Sequence, residues 1–233
     1  MVFNTGQANG ESMPSKLTLF VNRYMTPENR LAEILCGLVM VLSFTTTTNA
    51  AFTDITPHQL LIAVLGCNAA WGIVDGVTYI LGNLVTRANA NKALFRLQAA
   101  RSPEDVRQHV DELLGPEVHA YIHPEHHRQM LAWFREGARS VQPQPVKVTR
   151  EDVYTAIACF VIVFSATFPL AIPFMLMPDK TLALRVSNGM ALAMLFFIGD
   201  RWAVAIGASR WMIGSSMLLI GSILVAITVA LGG

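Results

Sequence analysis

The sequence predicts an all-α membrane protein with five transmembrane helices and a helical cytoplasmic insertion between the second and the third. Three observations carry this prediction. The 233 residues are 53% hydrophobic and only 14% charged, where soluble domains run at roughly 25% charged. Five apolar stretches each reach the roughly 20 residues that a helix needs to cross a hydrocarbon core about 30 Å thick. The remaining polarity collects in one segment, residues 87–150, which holds five of the six histidines.

Residues 1–30 read as a cytoplasmic N-terminal segment, polar at its start and without the apolar core of a signal peptide. Within it, Lys16 to Met25 is patterned either as a short interfacial amphipathic helix or as an ordered leader. Residues 31–86 hold the first two spans, Leu31 to Phe52 and His58 to Val85. Thr56-Pro57 supplies a cap and a first-turn proline to the second. Residues 151–233 hold the other three, Val153 to Met177, Thr181 to Ala203 and Trp211 to Gly232. Pro169 and Pro173 lack backbone donors and are expected to kink the third span. Met177-Pro178-Asp179 makes a turn, and Gly207, Gly214 and Gly221, seven apart, form a close-packing seam within the chain or across a dimer. In the insertion, Ser102-Pro103-Glu104-Asp105 starts a helix and Gly115-Pro116 stops it. A second helix covers about Pro124 to Arg139, and Val141 to Val148 is a linker.

Cationic residues near span ends set orientation. Arg23, Arg30, Arg87, Lys92, Lys147, Arg150, Arg201 and Arg210 fall on one side and Lys180 on the other, with Arg185 just inside the fourth span. This predicts a cytoplasmic N-terminus and insertion and an external C-terminus, in a bacterial inner membrane. A net charge of +1 gives no basic excess for nucleic acid. Cys36, Cys67 and Cys159 each sit in an apolar stretch and read as small buried residues.

Charged groups in hydrocarbon cost about 2.5–3.5 kcal/mol by insertion scales, so the few present ask for a reason. Asp75 lies within the second span on a face with Asn68, Gly72, Tyr79 and Gly82. It reads as a cation or proton site at the membrane centre, or as a structural carboxylate hydrogen-bonded to its neighbours or paired with an arginine such as Arg185. Glu33, in the first span, shares a stripe with Cys36 and Met40 that suits a divalent transition metal, or it reaches the headgroups. The run Thr45 to Asn49 either lines a wet path or bonds its own helix carbonyls.

The insertion places Asp105, His109 and Glu112 on one helical face. His119 and His123 follow four apart, then Glu125, His126 and His127. Imidazole with carboxylate suits Fe2+, Mn2+, Zn2+ or Ni2+, so His109, Glu112, His119, His123, His126 and His127 are candidate metal ligands. A solvated helix surface or a pH-responsive patch is the competing reading. HExxH, GxSxG, P-loop and GxGxxG patterns are absent, and no catalytic constellation replaces them. An enzyme is not expected, nor a permanently bound cofactor.

The stretch from Phe168 to Gly199, FPLAIPFMLMPDKTLALRVSNGMALAMLFFIG, followed by Ser209 to Gly232, resembles the last three helices of the vacuolar iron transporter family. The resemblance implies five membrane helices, a cytoplasmic helical metal-binding insertion, a homodimer, and export of Fe2+ or Mn2+ from the cytosol in exchange for protons. The chain departs from the family at its ligands. Met40 stands where the family has a first-helix aspartate, and Tyr79-Ile-Leu-Gly82 replaces the methionine and glutamate of its second helix. Asp75, in Gly72-Ile-Val-Asp75-Gly76, offers a substitute carboxylate, and the insertion has histidines where the family has ExxE pairs. The implied pathway is Asp75, Asn68, Tyr79, Glu33 and Met40. The alternative is a non-transporting scaffold, or a metal- or pH-responsive interaction protein, that keeps the fold.

Overall fold

The computed structural model describes residues 15–51, 54–119 and 121–230, with the side chains of 48–51, 116–119, 124 and 228–229 outside that description. The described residues form eight helices: α1 Lys16–Tyr24, α2 Pro27–Ala51, α3 Pro57–Ala99, α4 Pro103–His119, α5 Pro124–Ser140, α6 Arg150–Leu176, α7 Lys180–Ile206 and α8 Arg210–Ala230. Five of them, α2, α3, α6, α7 and α8, are long and apolar enough to cross a bilayer. The chain divides into two compact units, residues 1–79 with 150–233, and residues 80–149.

Local chemistry sets the helix starts in the first unit. Ser15 accepts from the Thr18 amide at 3.1 Å to cap α1. Thr26 accepts from Asn29 to open α2, with Pro27 in the first turn. At α3, Thr56 accepts from the Gln59 amide while the Gln59 side-chain carbonyl accepts from the Thr56 amide, so two orphan donors are satisfied reciprocally. Asp179 caps α7 by accepting from the Leu182 amide at 2.8 Å.

The first unit is packed around Leu38, Val41 and Leu42 of α2, Leu60 and Val64 of α3, Leu170 and Phe174 of α6, and Ala191 and Leu195 of α7. α1 lays Val21, and its C-cap Met25, onto Ala158, Cys159 and Ile162 of α6. Two contacts depend on glycine. A Cβ on Gly76 would stand 3.0 Å from the Ala156 carbonyl, and one on Gly72 3.3 Å from the Phe160 Cα, so α3 and α6 meet backbone to backbone. α7 and α8 do the same, with a Gly199 Cβ only 2.8 Å from the Gly214 Cα. Small residues are what permit such approach between lipid-embedded helices. α8 turns Trp211, Leu219, Ile220, Ile223 and Ile227 outward, a surface that hydrocarbon solvates.

Some details differ from the hydropathy reading. α3 does not end near Val85 but continues to Ala99, because residues 88–99 are rich in strong helix formers and contain no breaker. Gly207 is not part of the α8 seam. It ends α7 in the left-handed region at φ 68°, whereas Gly214 and Gly221 face Phe196, Leu192 and Leu195 of α7 in the same chain. As expected of a single span, α6 continues through Pro169 and Pro173 as one helix, and between them the Leu170 carbonyl accepts from the buried Ser187 hydroxyl at 2.9 Å. Thr45 and Thr46 bond carbonyls of their own helix at 2.7 and 2.6 Å, while Thr48 and Asn49 lie outside the described side chains.

The second unit contains the end of α3 with α4 and α5, closed around Leu97, Val106, Val110 and Ala138. Ser102 and Asp105 cap α4 reciprocally, and Gly115 breaks it at φ 72°. The following 141–149 segment is extended. It is held along α3 where the Asn91 side-chain amide donates to the Gln144 carbonyl and accepts from its N–H, at 2.7 and 3.0 Å. Arg87 donates to the Lys147 carbonyl.

Candidate metal centre

Glu33 lies as far back along α2 from the α2–α3 turn as Asp75 lies forward along α3 from it. Antiparallel helices joined by a short turn bring such residues to the same level. With a rise of about 1.5 Å per residue, that level is about 27 Å from the turn. The glycine contacts of Gly72 and Gly76 then draw α6 against this face of α3, which brings in Cys159. One carboxylate oxygen from Glu33, one from Asp75 and the Cys159 sulfur all lie within 4.8 Å of one another.

The cluster is dry. Glu33 is 9% exposed and Cys159 fully buried, with Asp75 half-buried. The Tyr79 hydroxyl, the Cys159 thiol and the Asp75 carboxyl all lie within electrostatic reach of the Glu33 carboxyl. Yet Glu33 Oε2 and Asp75 Oδ2 are buried without a hydrogen-bond partner among the described residues. Buried acceptors without partners are rare in folded proteins, and two on neighbouring carboxyl groups in low dielectric call for a cation or a proton near them.

The expected pathway residues are therefore partly gathered. Glu33 and Asp75 come to one level and not to separate depths, with Tyr79 one helical turn beyond Asp75 on α3. Asn68 on α3 and Met40 on α2 lie about two helical turns from that level, both nearer the α2–α3 turn. Asn68 is fully buried; its amide donates to the Val64 carbonyl at 3.2 Å and its Oδ1 has no partner among the described residues. Met40 is half-buried. Asp75 is not ion-paired with Arg185; its carboxylate neighbour is Glu33. Cys159, read from sequence as packing alone, is the residue that reasoning missed.

The histidines of the second unit are differently arranged. His109 Nδ1 stands 4.0 Å from Glu112, whose carboxylate Arg96 also approaches at 3.4 Å. His127 pairs with Asp111 at 3.4 Å, and the rings of His123 and His126 are 6.1 Å apart. Asp105 is committed to the α4 cap. There, backbone N–H bonds from Ser102 and Arg101 and the Ser102 side chain hold its carboxyl below the ordinary aspartate range. The His119 side chain lies outside those described. Among the described residues, the one group of three convergent ligand atoms is Glu33, Asp75 and Cys159.

The chain matches no protein-family model, and comparison with curated proteins gives no match. The functional reading accordingly rests on the chemistry of the site.

Proposed function

We propose that this protein moves a divalent transition-metal ion, of the Fe2+ or Mn2+ kind, out of the cytosol across the membrane that its five apolar helices span. The observation that carries the reading is the buried convergence of two carboxylates and a thiol from three separate helices, with one oxygen of each carboxylate unpartnered among the described residues. Such a set neutralises a divalent cation, and the same carboxylates hold protons once the ion has left. That gives proton exchange a physical basis.

With the N-terminus and the 80–149 unit on the cytosolic side, as the distribution of Lys and Arg favours, a level about 27 Å from the outer turn lies close to the cytosolic boundary of a core about 30 Å thick. Glu33, Asp75 and Cys159 are then the capture site, steadied by Tyr79. Asn68, with its unpartnered oxygen, and Met40 form a second station nearer mid-membrane. A homodimer is the assembly that the family resemblance favours, and the compact helices suit a bacterial inner membrane.

Uptake of Fe2+ and Mn2+ into proteoliposomes tests the reading. Asp75→Asn and Glu33→Gln each keep side-chain volume and remove a charge. Each is expected to lower uptake by about tenfold or more, on the scale of altered metal-site ligation. Uptake by Asp75→Asn equal to that of the unaltered chain would remove the assignment and leave the scaffold reading.

A further inference from the structure

We propose that Cys159 makes this a mixed oxygen–sulfur site that favours borderline and soft divalent cations, Zn2+, Co2+, Cd2+ and Fe2+, over Mn2+. The inference rests on the metal-site reading above and narrows its substrate class. Glu33 and Asp75 alone would be an all-oxygen pair, the chemistry that serves Mg2+, Ca2+ and Mn2+. A thiolate changes the order of preference, because sulfur binds Zn2+ and related ions strongly and Mn2+ weakly.

The geometry makes sulfur part of the site and not a bystander. Cys159 is fully buried on α6 with its sulfur inside the 4.8 Å cluster, and α1 closes over that part of α6 through Val21 and Met25. The neighbouring Glu33 is nine-tenths buried and presents the unpartnered Oε2. On binding, the metal–sulfur bond forms as the S–H bond breaks, and the proton leaves to solvent. Cys36, one turn beyond Glu33, also lies in electrostatic range of the carboxylates and has to be removed for the contribution of Cys159 to be read alone.

The experiment uses the full chain carrying Cys36→Ser and Cys67→Ser, so that Cys159 is the one thiol left. Loading with Co2+ and Cd2+ is expected to give thiolate-to-metal charge-transfer absorption, and X-ray absorption of the Zn2+-loaded protein is expected to show sulfur bound to zinc. Adding Cys159→Ser should abolish the charge-transfer absorption. It should also weaken Zn2+ and Cd2+ binding by about tenfold or more while changing Mn2+ binding by less than about twofold.

An all-oxygen or nitrogen shell around zinc in the double variant overturns the proposal without any change at position 159. Equal losses for Cd2+ and Mn2+ on Cys159→Ser also overturn it. Neither result touches the transport reading, which stands or falls with Asp75→Asn; conversely, Asp75→Asn transporting normally removes that reading whatever the spectra show.

Discussion

The two units treat potential metal ligands in opposite ways. The 80–149 unit is rich in them, with histidines and carboxylates along α4 and α5, yet several of its described side chains are spent singly or in pairs: Asp105 on a cap, Glu112 with Arg96, His127 with Asp111, while His109 Nδ1 is buried without a hydrogen-bond partner among the described residues. The 1–79 and 150–233 unit carries them at lower density along the chain, and it gathers three from three helices into one buried group. Ligand residues close in sequence are spread out along a helix surface by the rise of the helix, whereas packed helices bring residues far apart in sequence to one point. Density of ligand types in the sequence is thus a poorer guide to a site than helix crossings at which small residues allow close approach.

The most forceful way to break the contrast is to pry α3 from α6. Gly76→Val places a side chain 3.0 Å from the Ala156 carbonyl and 3.2 Å from its Cβ, so backbone has to move. Overpacking of this kind costs about 1–3 kcal/mol. The carboxylates on α2 and α3 would then lose their sulfur neighbour on α6. The expected outcome is a lowered Tm in detergent together with loss of metal uptake. Gly82→Ala, whose Cβ meets nothing within 4 Å, should leave both unchanged or raise Tm slightly through helix propensity. Equal behaviour of the two variants would sink the claim that the glycine contact builds the site.

The sequence shows the five apolar helices plainly, and the Thr56 cap of the second, because hydropathy and capping are local properties. The common level of Glu33 and Asp75 was also available, by counting residues back from the α2–α3 turn, but Asp75 reads as central when its helix is taken to stop at Val85. The extension to Ala99 carries its own signal in Ala88, Ala90, Ala93 and Leu94, where hydropathy falls while helix propensity stays high. Gly207 misleads for a related reason, since seven-residue spacing is meaningful only inside one helix and Gly207 ends another. Cys159 had no such signal. Its position at the site depends on the register of α6 against Gly72 and Gly76, which tertiary packing alone sets.

A smaller effect is expected at the α4 cap of the second unit. Asp105 accepts from the Ser102 and Arg101 amides at 3.0 and 3.2 Å, and its carboxyl is held below the ordinary aspartate value. The stabilisation therefore exists in full above the unfolded-state value near pH 4 and fades as pH falls through the lower folded-state value. Asp105→Asn should give a slightly lower Tm at neutral pH. The gap to the unaltered chain should close in more acid solution, as thermal melts followed by circular dichroism would show. A gap that stays constant down to low pH would mean that the cap acts through shape and not through charge.

The smallest effect is expected where the sequence is richest in ligand types. Replacing His109, His123, His126 and His127 together by Gln removes every described imidazole of the 80–149 unit. None of the four shares a group of three ligand atoms with other described side chains, and two ligands on a solvated surface hold a divalent ion weakly, because water supplies the rest of its coordination. Initial rates of Fe2+ uptake by this variant should stay within about twofold of the unaltered chain, in contrast to the loss expected from either carboxylate on the scale of altered ligation. The His127–Asp111 hydrogen bond between α5 and α4 makes a modest drop in Tm compatible with that outcome, since one such bond contributes about 0.5–1.5 kcal/mol. A tenfold fall in uptake with an unchanged Tm would instead show that these histidines converge on an ion when it is present, and would move the first step of capture from the buried cluster to the second unit.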